Sequence, residues 1–116
     1  HALGEGAHIT SDELLSWNAI FETVARAAGT GAELVHVPSA TIAAFDEGWG
    51  AGLLGDKSHS MVFDNSKVKR LVPGWTAEIP FARGAEEIMR WFDADPARQT
   101  VDSALDRLMD EIVSAQ

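Results

Sequence analysis

Apolar residues recur along this chain at two periods, and the two predict different elements. Leu14, Trp17, Ile20, Phe21, Val24 and Ala28 fall at three- and four-residue steps, one stripe on a helix. Thr10 reads as its cap, with Glu13 three positions on as the reciprocal half of a capping box; Gly29 and Gly31 stop it. A second stripe, Phe81, Ala85, Ile88, Met89 and Phe92, predicts a helix from near Pro80 to just before Asp95-Pro96. A third, Val101, Leu105, Leu108, Met109 and Ile112, predicts a last helix from Thr100. Shorter helices are expected from Ala40 to Phe45, capped by Ser39, and through Lys67, Val68, Leu71 and Val72. The latter is capped by Asp64-Asn65-Ser66 and stopped by Pro73-Gly74.

The other period is two. Glu33-Leu34-Val35-His36-Val37-Pro38 alternates and is β-branched, which predicts a strand ended by Pro38. Ala7 to Thr10, Met61 to Phe63 and Thr76 to Ile79 read as shorter extended pieces. Between Asp46 and Ser60 neither period holds. Gly48, Gly50, Gly52 and Gly55 there predict a flexible loop carrying Trp49, Lys57 and His59. The expected fold is α/β in an α+β-like form: a helix-rich single domain over 1–116 with a few short strands, 97–116 being an added C-terminal helix.

Composition sets the scale. The chain has 116 residues, 46% hydrophobic and 23% charged, enough for one core. It has no Cys and no Tyr. A disulfide framework, a thiolate metal site, a cysteine nucleophile and any mechanism with a phenolic acid or base are therefore excluded from this chain. Absence of Cys fits a reducing cytoplasm. Net charge is −9, and eight of the nine basic residues lie from Lys57 onward. The one basic cluster, Lys67-Val68-Lys69-Arg70, reads as a solvated helix face, so neither nucleic acid nor an anionic membrane is an expected partner. The chain opens on His1-Ala2-Leu3-Gly4 with no initiator Met and no signal pattern, and the expectation is a fragment of a longer protein.

Candidate chemistry is sparse. Gly50-Ala51-Gly52-Leu53-Leu54-Gly55 spells a dinucleotide fingerprint, but no hydrophobic strand precedes it and a polar run follows, so it reads as loop. Asp46, Glu47, Asp56 and His59 carry ligand atoms without a metal-site spacing. Ser58, Ser60, His59 and Asp56 lack a nucleophile elbow. His8 and His36 lie in strand patterns and are expected to be structural. Trp17 and Trp91 are expected to pack, and Trp75 to close the short helix; Trp49, between glycines, is the aromatic best placed to cover a ligand.

Several segments together resemble a known family. These are Ala7-His8-Ile9-Thr10-Ser11-Asp12-Glu13, Leu15-Ser16-Trp17-Asn18, Val35-His36-Val37-Pro38, Phe63-Asp64-Asn65-Ser66-Lys67 with Arg70-Leu71-Val72-Pro73, Pro80-Phe81, and Trp91-Phe92. In order and spacing they resemble the C-terminal portion of the NAD-dependent epimerase/dehydratase family, the extended short-chain dehydrogenases/reductases, over about residues 5 to 95. The most specific piece is Asp64-x-Ser66-Lys67. The resemblance implies a parent whose N-terminal Rossmann domain holds NAD or NADP and the catalytic Tyr-x-x-x-Lys set. This chain would be the smaller domain that closes over a small-molecule substrate, without catalytic residues and inactive alone. Family members that take nucleotide-sugars often hold the diphosphate with an Arg-rich loop before the D-x-S-K segment. Between Pro38 and Asp64 this chain has no Arg and only Lys57, which points to a less charged hydroxy or keto substrate. Trp49, Lys57 and His59 would then line the substrate pocket. The rival reading is a free-standing helical module for protein interaction or dimerisation. A severed domain should expose an apolar patch where its partner docked, and could form a homodimer through it.

Overall fold

A computed structural model describes residues 3–115; the His1-Ala2 start lies outside the described residues. Six α-helices are present among the described residues: α1 (Trp17–Ala27), α2 (Ser39–Phe45), α3 (Glu47–Leu54), α4 (Ser66–Leu71), α5 (Phe81–Asp93) and α6 (Ser103–Ser114). Short 3-10 turns occur at Asp56–Ser58 and Pro96–Arg98. There is no strand among the described residues, so the expected α/β class is corrected to all-helical. The physical reason lies in where hydrogen bonds close. A helix satisfies its own backbone, whereas a strand exists only against a neighbour, and an isolated pair is marginal at best. Segments 7–10, 33–38, 61–63 and 76–79 have the composition of strands and no ladder to join.

The chain divides into two compact units. One comprises residues 1–32 and 61–94, the other 33–60 and 95–116. In the first, α1 packs against α5. The half-buried side of α1 carries Ala19, Ile20, Thr23, Val24 and Ala27; that of α5 carries Phe81, Met89 and Phe92 around a fully buried Ala85. Helix α1 starts six residues later than its capping-box pattern implies. Ser16 is the actual cap, its Oγ accepting the Ala19 N–H at 3.2 Å. The end is as expected: Gly29 takes φ 75°, and Gly29 N–H and Thr30 N–H reach back to Arg26 O and Ala25 O, closing the last turn.

In the second unit α2 packs on α3 and on α6. The glycine-rich stretch is helical, which corrects the expected flexible loop. Asp46 caps it, Oδ1 accepting the Trp49 N–H at 2.7 Å. Gly50 explains the packing: it is buried, and a Cβ there would collide with the Cβ and backbone of Ala43 on α2. The two short helices approach closely because this position has no side chain. Helix α6 begins at Ser103, after Asp102 Oδ1 has accepted the N–H groups of Ala104 and Leu105.

Candidate functional site

The densest polar arrangement among the described residues lies in the first unit and gathers segments far apart in sequence. Asn65, just before α4, donates its amide N–H to Thr10 O at 3.0 Å and to Asp12 Oδ1 at 2.8 Å. Lys69, one turn into α4, grips both Asp12 oxygens at 2.6 and 2.8 Å. Glu13 turns the other way and accepts the Phe81 N–H at 2.7 Å, capping α5, whose own cap position is Pro80. The His8 ring meets Phe63 edge-on at 5.1 Å. Thr10 to Glu13 is therefore fastened to the start of α4 on one side and to the start of α5 on the other.

The Asp64-x-Ser66-Lys67 segment is accounted for atom by atom. Asp64 Oδ1 accepts the Ser66 N–H at 2.8 Å and Oδ2 accepts its hydroxyl at 2.9 Å; Ser66 Oγ in turn accepts from Arg70 at 3.0 Å. Lys67 pairs with Glu5 at 2.8 Å. The Ser66 backbone and hydroxyl hold the Asp64 carboxyl below its ordinary value, and Lys69 followed by Asn65 do the same for Asp12. Carboxyls kept ionised by donors already in place are unsuited to general acid work near neutral pH. Here they cap and clasp.

The three residues expected to line a substrate pocket lie in the second unit. Trp49 is in the first turn of α3, 37% exposed. Lys57 is in the 3-10 turn, its Nζ 3.2 Å from where a Cβ on Gly52 would stand. His59 follows that turn, exposed. Gly52 thus leaves room for the lysine to fold back along α3. Among the described residues, no hydrogen bond or ring contact joins the three to one another. Two open clefts of the first unit lie elsewhere: one is lined by Ser11, Asp12, Glu13, Ala77, Glu78 and Pro80, another by Ser11, Asp12, Leu14 and residues 62–65. Their walls are acidic and their carboxylates are largely engaged, which disfavours a phosphate there.

Sequence reasoning assigned Asp12 no role and gave Glu13 to Thr10. Their true partners are 53 to 68 positions away, beyond the reach of any local pattern. The aromatic expectations also shift: Trp17 and Trp91 are 72% and 60% exposed rather than packed away, whereas Trp75 is half-buried.

Fold and site together define a small two-unit helical chain with a structural clasp and no assembled catalytic constellation among the described residues. Comparison with known proteins finds no matching family model, no similar curated sequence and no similar solved structure. No helix of the described residues is long and apolar enough to cross a membrane.

Proposed function

We propose that this chain is the substrate-binding C-terminal part of a cytoplasmic NAD(P)-dependent oxidoreductase of the epimerase/dehydratase type, inactive without its cofactor domain. One observation carries the reading. Of the segments on which the resemblance rests, 7–13, 63–67 and 80–81 are joined within one unit by side-chain hydrogen bonds, while 35–38 belongs to the other unit.

In this reading the cofactor domain supplies nicotinamide and the proton-transfer groups. The present chain supplies binding surface, with Trp49 as an apolar wall and Lys57 and His59 as polar contacts. Hydride would pass between the nicotinamide and a carbon bearing a hydroxyl or carbonyl. The single Lys57 as the only cation from Pro38 to Asp64 favours an uncharged or singly charged substrate over a nucleoside diphosphate.

The reading frame upstream of His1 tests this. The expected result is an open frame encoding a strand-turn-helix glycine fingerprint and a Tyr-x-x-x-Lys pair. A start codon at or immediately before His1 would refute it and leave the helical interaction module in its place.

A further inference from the structure

Residues 5–12 precede α1 without regular structure, and their attachments converge on one short stretch of chain. Glu5 pairs with Lys67 at 2.8 Å, the His8 ring meets Phe63 edge-on, and Thr10 O accepts from Asn65. Asp12 accepts from Asn65 at 2.8 Å and from Lys69 at 2.6 Å. Each of these contacts lands within 63–69, at the start of α4. Lys67 and Lys69 are two positions apart, about 200° around the helix. The segment therefore crosses the first turn of α4 and is held from both sides.

What holds it is mostly electrostatic. Among the described residues, no backbone hydrogen bond joins 5–12 to another segment. Ile9, its one large aliphatic residue, is 76% exposed, and only Thr10 and Ser11 are half-buried. Both ion pairs stand in solvent. Contacts of that kind are individually weak and are screened by salt, whereas apolar burial is not. The α1–α5 pair, by contrast, meets around a fully buried Ala85. Segments with few buried apolar contacts open at a lower free energy than the packed body they lie on. Glu13, the next residue, accepts the Phe81 N–H and fixes that end of the segment to α5.

We infer that residues 5–12 form a salt-releasable strap, closed across the start of α4 and detaching while α1 and α5 stay packed, with Glu13 as its fixed end. Closed, the carboxylates of Glu5 and Asp12 neutralise Lys67 and Lys69, members of the one basic cluster in a chain of net charge −9. Open, the strap parts His8 from Phe63 and leaves both lysines without those counter-charges. The device is internal to this chain and independent of the function proposed above.

Nuclear magnetic resonance on the 116-residue chain at constant pH tests it. Cross-relaxation between the His8 and Phe63 rings, whose centroids are 5.1 Å apart, reports closure; the amide signals of α1 and α5 report the packed pair. The ring cross-peak is expected to fall by about half or more between low salt and about 1 M sodium chloride, where the screening length shrinks to about 3 Å, with the helix signals in place. Glu5→Gln combined with Asp12→Ala changes exposed residues outside every helix, and should lose the cross-peak already at low salt with the helix signals unchanged. A cross-peak that persists in high salt or in the double variant would overturn the strap. So would one that disappears only together with the α1 and α5 signals, or one that is absent at low salt in the folded chain.

Discussion

Asp12 illustrates how much of this chain rests on single polar groups. Its carboxylate ties a segment without regular structure to α4 through Lys69 and Asn65, and the pair is largely exposed. Both it and Asp64 titrate lower in the folded chain than their ordinary value of 3.8. As pH falls, the unfolded chain therefore binds protons first, and stability decreases with it. The contribution is complete above the ordinary value and is lost as pH drops through the lowered ones. Asp12→Ala should lower the thermal midpoint near neutral pH, less so in high salt, and flatten the loss of stability below about pH 4. Thermal melts across pH and salt check this; a melt unchanged by the substitution would show that the clasp contributes nothing.

Among elements, the close approach of α2 and α3 is the feature most sensitive to one atom. Gly50→Ala forces a Cβ into Ala43 and should destabilise the second unit by about 1–3 kcal/mol, the usual cost of overpacking. Gly84→Ala, in open space within α5, should instead stabilise by about 0.5–1 kcal/mol through helix propensity. Urea unfolding of the two variants separates the effects. The helices were legible wherever a stripe of three- and four-residue steps ran long enough, as in α1, α5 and α6. The glycine-rich α3 was not. Its glycines read locally as a loop, and only the neighbouring Ala43 gives Gly50 a reason to be there. Strand-like segments misled for the converse reason, since alternation reports suitability for a sheet and not the presence of a partner strand. The clasp was invisible because Asp12, Asn65 and Glu13 find partners through the tertiary fold.

For the whole molecule, the described residues bury few apolar side chains: Val68, Ala85 and Ile112. Trp17, Phe21, Ile88 and Trp91 are each more than half exposed in a chain that is 46% hydrophobic. In the function proposed above, Trp49, Lys57 and His59 would acquire their role only when a cofactor domain and a substrate complete the pocket.

We propose that nicotinamide chemistry belongs to a longer parent polypeptide and not to this chain. Calorimetric titration of NAD and NADP into the 116-residue chain and into the full-frame polypeptide tests it most directly. Saturable binding of one dinucleotide by the full polypeptide and no measurable heat with the short chain are expected. Tight binding by the short chain, or none by the full polypeptide, would contradict it.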